Sequence, residues 1–469
     1  MTKIKFGTDG WRAIIAKEFT VDNVARVTVG LVQWLKKENK ASKGVVIGYD
    51  CRFGGQLFSE TVAKVLGAEG IKVFLSDRIV TTPMTSLGTL ELGAGVGVVI
   101  TASHNPPDYN GYKLKGEFGG PLLDVHVNEV EALIPAQHTY DLESISLEDL
   151  KKNGLLQYVD LETAYIKRVE ANFDLELIKK SGMSFAYDAM YGAGQFAMRR
   201  ILPDITFLHC DYNPGFDGTA PEPIHRNLGE FSDMIKIAGD IDCGLATDGD
   251  ADRLGLYNSK GEFVDSHHII LLLINYLKQY KKMDGKVVIA FSVSDRIKKL
   301  CKALGLEVVT TKIGFKYVCD KLLSDDVLLG GEESGGVAIK GHIPERDGIW
   351  MGLTIWEYMA KTGKTLDDLV AEVYEIVGEF AFERIDLHIS EAIKQKVMVN
   401  CKNDKYTEFA GRKITRVEKI DGFKFFFGDD EWLMIRPSGT EPVLRTYCES
   451  SSSEEAFSLL KKSHQLLLS

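Results

Sequence analysis

Val96-Gly97-Val98-Val99-Ile100-Thr101-Ala102-Ser103-His104-Asn105-Pro106 is an apolar run that stops abruptly in small, polar and turn-forming residues. The run has the make-up of a buried strand, and its break after Ile100 puts a hydroxyl at the strand's C-terminal edge. In open α/β sheets that edge is where ligands bind. Ser103 therefore sits where a nucleophile or a phosphate carrier would be useful. On this stretch alone, a plain polar turn with Ser103 and Asn105 bonding their own backbone reads equally well.

Working outward, residues 21–37 carry helical apolar spacing with Asp22 and Asn23 near the start. Residues 45–50 form a short apolar strand followed by Cys51-Arg52, 57–67 a helix and 72–75 a strand. With 96–100 this is a β-α-β-α-β alternation, which predicts a mostly parallel, helix-covered sheet. The polar stretch 137–149 reads as a linker. The alternation then recurs twice. Strands at 185–188, 205–208 and 243–247 enclose Gly192-Ala193-Gly194 and a helix to Ile201; strands at 287–291, 307–311 and 327–329 enclose a helix over 294–304. Such recurrence predicts an internally repeated architecture. After about Glu379 the pattern changes to short antiparallel strands with Asp-Gly and Gly-Asp-Asp turns, closed by a helix over 454–468. The expected fold is α/β, with three similar mixed-sheet domains over 1–145, 146–255 and 256–375 and an α+β domain over 376–469.

The bulk numbers agree with several domains: 469 residues, 45% hydrophobic and 26% charged, is too much chain for one core. A net charge of −11 argues against a nucleic-acid partner, so any bound phosphate must be met by local Arg, Lys, backbone N–H or metal. The Met-Thr-Lys-Ile-Lys start lacks the apolar run of a signal peptide, and no stretch reaches membrane-spanning length. The seven cysteines are scattered, odd in number and without CxxC spacing, so they read as reduced, mostly buried thiols of a cytoplasmic protein with no membrane partner.

Three further stretches carry chemistry. Asp248-Gly249-Asp250-Ala251-Asp252-Arg253 follows the 243–247 strand directly. Three carboxylates at alternate positions on a tight loop can converge on one hard cation and would repel one another without it. An EF-hand needs Gly at the sixth position and Glu at the twelfth, where this chain has Arg253 and Ser259. An aspartate-phosphorylating phosphatase loop also begins Asp-x-Asp, and a solvated acidic turn is the plain alternative. Three ligands leave positions open, which suits Mg²⁺ held partly by a phosphate oxygen. Gly330-Gly331-Glu332-Glu333-Ser334-Gly335-Gly336, again at a strand end, offers acceptors and a donor to a polyhydroxylated ligand. Arg436-Pro437-Ser438-Gly439-Thr440-Glu441-Pro442, with Arg445, can hold a phosphate dianion, although it lacks the GxxxxGK[ST] order of a Walker loop.

Together the four stretches, in this order and one per domain, resemble the α-D-phosphohexomutase superfamily, the phosphoglucomutase/phosphomannomutase family. The Thr101–Pro106 stretch is similar to its phosphoserine loop, Asp248–Arg253 to its metal loop, Gly331–Gly336 to its sugar-binding loop and Arg436–Thr440 to its phosphate-binding loop. The resemblance implies four domains around a central cleft. It implies a phosphorylated Ser103 that gives its phosphoryl group to a hexose monophosphate, and a hexose 1,6-bisphosphate that turns over and returns its other phosphate. Phosphoryl transfer of this kind depends mostly on positioning and charge stabilisation. Mg²⁺ would be held by Asp248, Asp250 and Asp252 beside Ser103. Arg12 and Arg253 would assist as cations, and His104 has a ring N–H to offer. Lys113 would exchange the hydroxyl proton, a role that needs a lowered pKa. Glu333 and Ser334 would read the sugar hydroxyls, helped by Lys312 or Lys316. Arg436, Ser438, Gly439, Thr440 and Arg445 would grip the phosphate that is not reacting.

One departure stands out: some relatives end the sugar loop in Ser-Gly-His, whereas this chain has Ser334-Gly335-Gly336, and His342 is the nearest candidate to compensate. The resemblance favours glucose phosphates with mannose phosphates second. Phosphoglucosamine mutase activity is the alternative, ahead of a metal-dependent sugar phosphatase or a non-catalytic sugar-phosphate binder. A monomer or homodimer is expected.

Overall fold

The computed structural model describes residues 3–7, 9–438 and 443–468. The chain divides into two compact units, Met1–Lys286 with Gly314–Val370, and Val287–Ile313 with Ala371–Ser469.

The first unit opens with a six-stranded sheet in the order Trp11–Ile14, Tyr109–Gly116, Val96–Ile100, Val45–Tyr49, Val73–Ser76, Leu156–Val159. The last four run parallel; Tyr109–Gly116 runs against them, and Trp11–Ile14, antiparallel to it, runs with them. Their side chains explain the placement: every residue of Val96–Ile100 is buried, as expected for a strand covered on both faces. The expected helices form on firm signals. Thr20 caps Val21–Lys37 by accepting from the Asn23 N–H, and Thr81 caps Thr82–Glu91 by accepting from the Met84 N–H, with Pro83 in the first turn. Trp34, Leu35, Ile47, Val98 and Ile100 lie in the core between them. The sequence places residues 156–159 in the second domain, but their strand pairs with Val73–Ser76, so the first sheet runs past residue 145. The stretch 137–149 is less of a linker than its polarity implies, since Tyr140, Leu142 and Ile145 pack on this core.

The second sheet has the order Phe263–Val264, Leu254–Asn258, Cys243–Thr247, Phe185–Asp188, Thr206–Leu208. Its three strands from Cys243–Thr247 outward are parallel, and Leu254–Asn258 returns antiparallel. The third domain repeats the motif, with Val337–Ile339 antiparallel to Val327–Gly331. Behind it Gly348–Thr362 is buried along nearly its whole length, which fits a helix that is apolar all round.

In the second unit, Lys286–Ala290 and Val308–Thr311 run parallel, joined through the helix Arg296–Leu304. The C-terminal domain is an antiparallel sheet ordered Ala381–His388, Val443–Ser450, Trp432–Pro437, Phe423–Phe426, Arg416–Glu418, backed by Glu391–Lys402 and Ser453–Leu468. The fold is therefore three α/β mixed-sheet domains followed by an antiparallel-sheet domain. All seven cysteines are free and buried. Among the described residues no helix is long and apolar enough to cross a membrane.

Candidate active site

Ser103 lies in the connection between Val96–Ile100 and its antiparallel return, Tyr109–Gly116. It is 1% exposed and has φ of 52°, the left-handed region that a non-glycine residue enters at a cost of about 1–2 kcal/mol. Strain of this kind persists only where surrounding structure over-determines it. Here the Ser103 N–H donates to Thr101 Oγ1 at 2.9 Å, and Oγ donates to Asp248 Oδ2 at 2.6 Å. The serine hydroxyl thus meets the acidic loop of the second domain, 145 residues away in sequence.

Asp248, Asp250 and Asp252 are all fully buried, and each offers an oxygen within 4.8 Å of the others. Asp250 Oδ1 and Asp252 Oδ1 are buried with no hydrogen-bond donor. Lone pairs facing one another without donors are a fit for a hard divalent cation. The electrostatics agree. Burial, then the neighbouring Asp252 and Asp250, push Asp248 well above the ordinary carboxylate range, with Arg253 acting against them. Asp250 is spared: burial works against its charge, but Lys113 and the Thr82 hydroxyl, 2.5 Å from Oδ2, hold it low. Gly249 is glycine for steric reasons, since a Cβ there would lie 2.6 Å from the Ser103 carbonyl oxygen and 3.1 Å from Pro221.

The expected cations gather around this pair of loops. Arg12 donates to Asn105 Oδ1 at 2.8 Å and sits 4.0 Å from Asp9. The Arg253 N–H donates to Asp248 Oδ1, and its guanidinium lies 3.9 Å from Asp252. His104 Nδ1 is 3.3 Å from Ser103 Oγ; burial, with Arg253 and Arg12 nearby, holds its pKa well below the usual histidine value, so the ring is neutral. Lys113 is fully buried, 2.8 Å from Asp250, 3.1 Å from Asp252 and 2.8 Å from Asp9. Burial alone would lower this lysine, but Asp250, Asp252 and Asp9 outweigh it and hold the ammonium well above its ordinary pKa. A cation so held supplies positive charge beside the acidic loop.

The stretch expected to meet a sugar is the third strand connection. Glu332 is buried, accepts the Gly314 N–H at 2.9 Å and is pushed up to about 7 by burial, while Arg346 opposes the shift. Glu333 and Ser334 are half-buried on the same turn. The missing histidine has a structural reason. A Cβ at Gly336 would fall well inside contact distance of Arg346 Cδ, and Arg346 is pinned by Asp252 at 2.6 Å and by Asp9. Arg346 occupies the room. His342 does not replace that histidine: it stacks on Trp350 at 3.7 Å between ring centroids, with Asp347 at 2.9 Å and Arg168 at 3.3 Å as partners. Those contacts are structural, and Asp347 also caps the Gly348–Thr362 helix. Lys316 pairs with Asp124 at 2.6 Å. Lys312 is exposed and belongs to the second unit.

Also in the second unit, Arg436 and Arg445 are directly opposite each other on neighbouring antiparallel strands. Like charges so placed are destabilising unless countercharge is near. Asp421 lies 3.3 Å from Arg436 and Asp386 4.0 Å from Arg445, and both Nε groups are buried without an acceptor. The Ser438 N–H donates to the Val443 carbonyl. Gly439 and Thr440 lie outside the described residues.

Asp9, Asp50, Arg52, Thr82 and Arg346 escape a reading of the sequence. Only Asp50 and Arg52 had a usable signal, since they follow the Val45–Tyr49 strand at the same sheet edge as Ser103.

Comparison with known proteins agrees with this geometry. Models of the phosphoglucomutase/phosphomannomutase alpha/beta/alpha domains I, II and III match residues 3–141, 163–261 and 265–377, and the C-terminal domain model matches 393–462. A phosphoglucomutase/phosphomannomutase of Thermococcus kodakarensis is 30% identical over 466 residues, 98% of each chain. A phosphoglucosamine mutase of Carboxydothermus hydrogenoformans is 28% identical over 96% of each. The crystal structure of a Thermus thermophilus protein assigned as a phosphomannomutase covers all of both chains at 32% identity with a TM-score of 0.87. Fold and site thus define an enzyme, an intramolecular phosphotransferase of the α-D-phosphohexomutase superfamily. Within that class, the chain belongs to the phosphoglucomutase/phosphomannomutase family.

Proposed function

We propose that this enzyme interconverts hexose 1-phosphate and hexose 6-phosphate, glucose first and mannose second, through phosphorylated Ser103 and a hexose 1,6-bisphosphate. The observation that carries the reading is the Ser103 hydroxyl, held in a left-handed turn 2.6 Å from the acidic loop. In the first half-reaction the Oγ–P bond of phosphoserine breaks and a P–O bond to a sugar hydroxyl forms, with loss of the hydroxyl proton. Neutral His104, 3.3 Å from Ser103 Oγ, has a lone pair for that proton when Nδ1 is unprotonated. Arg12, Arg253 and Lys113 supply positive charge around the transferring group. Asp248, Asp250 and Asp252, with the phosphoserine, would hold Mg²⁺, whose contribution is to neutralise charge on the phosphoryl oxygens. Glu333 and Ser334 would recognise sugar hydroxyls, with Lys312 or Lys316 assisting. Arg436, Ser438, Gly439, Thr440 and Arg445 would grip the idle phosphate.

Phosphoglucosamine mutase activity is the second reading, favoured by the similarity to the Carboxydothermus hydrogenoformans enzyme. The active form is taken to be a monomer or homodimer in the cytoplasm. The deciding experiment is intact mass with peptide mapping. A phosphate on Ser103, removed by a sugar monophosphate and restored by glucose 1,6-bisphosphate with Mg²⁺, is expected. Comparing discharge by glucose, mannose and glucosamine 1-phosphates then ranks the substrates. A Ser103→Ala variant with full turnover would overturn the phosphoserine route, and release of inorganic phosphate at turnover rates would favour a phosphatase.

A further inference from the structure

Behind the serine loop lies Arg52, whose side chain is wholly buried. Its Nη1 donates to the carbonyls of Pro106 at 2.8 Å and Tyr109 at 2.9 Å, and its Nη2 to those of Ser103 at 2.7 Å and Asn105 at 2.6 Å. One guanidinium therefore closes four bonds, on three carbonyls of the serine loop and on that of Tyr109, which opens the returning strand, a use of its rigid donor fork that no other side chain reproduces. Asp50 completes the arrangement. It accepts the Arg52 N–H at 2.9 Å and the Thr101 hydroxyl at 2.5 Å, and Thr101 Oγ1 in turn accepts the Ser103 N–H. The Ser103 residue is thus tethered at both ends, its N–H through Thr101 and Asp50, its carbonyl by Arg52 directly. Phe216, from the second domain, lays its ring 4.9 Å from the guanidinium carbon.

We propose that Arg52 is a positioning residue for phosphoryl transfer. It holds Ser103 in its left-handed conformation and so presents Oγ to Asp248, without itself reaching the substrate. Four carbonyls released together would let Ser103 relax toward an ordinary φ, and Oγ would turn from the acidic loop. A misplacement of about 1 Å at a reacting atom lowers turnover by about 100-fold.

The inference rests on the phosphoserine reading, and the test separates the two. Wild-type enzyme is incubated with glucose 1,6-bisphosphate and Mg²⁺ and its mass recorded; if Ser103 takes no phosphate, it is that functional reading that falls. Given phosphorylation of the wild type, Arg52→Ala and Arg52→Lys are compared in kcat, KM, rate of Ser103 phosphorylation and melting temperature. The expected result is a loss of about 100-fold in kcat and phosphorylation rate with KM within about threefold of wild type. Methylguanidinium in the assay should restore at least about tenfold of the Ala variant's kcat at unchanged melting temperature, because it refills the donor fork. A kcat within threefold of wild type, or a loss that only tracks the unfolded fraction and resists methylguanidinium, overturns the proposal. Should Arg52→Ala not fold, Arg52→Lys decides alone: kcat down by about tenfold or more at unchanged KM supports the role, and unchanged kcat refutes it.

Discussion

Asp248 lies beside two other buried carboxylates, and burial with their charge makes its ionisation costly to the fold. An acid whose folded-state pKa is raised weakens the fold as pH climbs past its unfolded value. Asp248→Asn keeps the acceptor for the Arg253 N–H and removes the charge. Expected in EDTA at pH 8 is a melting temperature higher by about 2–4 °C, with mutase turnover lost and a smaller rise on adding Mg²⁺. Calorimetry on both proteins checks it. Glu449, in the second unit, has no tie to the chemistry. Burial pushes it to about 7, with Ser294, Lys424 and Arg296 opposing. Its contribution therefore falls away between about pH 4.5 and pH 7, by on the order of 3 kcal/mol at full ionisation. Glu449→Gln should gain stability relative to wild type at pH 8 and lose that advantage at pH 5, read from urea midpoints at each pH. Equal differences at both values would refute the assignment. At this scale legibility followed sequence distance. Ser103 and the three aspartates announce themselves by local pattern, whereas Arg346 is defined by Asp9, 337 residues away, and a lone arginine after a proline-glutamate pair carries no such message.

All four candidate site stretches lie between a strand and its antiparallel neighbour, following Ile100, Thr247, Gly331 and Pro437. In the first three the leading strand is buried throughout, and the loop begins where its apolar run ends. That is why the apolar runs located the loops so well. The returning strands were harder to see. Tyr109–Gly116 mixes lysine and glycine with tyrosine, yet seven of its eight residues are buried, because Lys113 and Lys115 point their charges at buried carboxylates. Polarity hid this one strand, although a mixed sheet was expected. Close packing of two such turns makes a further prediction. Gly249→Ala pushes a methyl against the Ser103 carbonyl, and a kcat loss of about 100-fold at nearly constant KM is expected. Steady-state kinetics at saturating bisphosphate would show it, and an unaltered kcat would mean that the turn yields.

Taken whole, the chain forms two compact units, and two calorimetric transitions are the expectation. Mg²⁺ should shift only the one that belongs to the acidic loop, and Glu449→Gln only the other. The opposed Arg436 and Arg445 predict a matching division in kinetics: Arg445→Ala should raise KM for the sugar phosphate by about tenfold or more and change kcat by less than about threefold. The four-part plan was legible because each α/β repeat restates the same periodicity. The two-unit partition was not, because it depends on which cores share side chains.

The second unit is discontinuous, since Val287–Ile313 leaves the first unit's sequence more than fifty residues before Ala371 begins. Val287, Val288, Ile289 and Phe291, all buried in the finished protein, therefore emerge before most of their own unit has been made. At about 5–20 residues per second, the remaining hundred or so residues after Val370 take roughly 5–20 seconds to arrive. For that interval the second unit is incomplete, so slowed translation after Val370 is expected to lower the yield of folded protein.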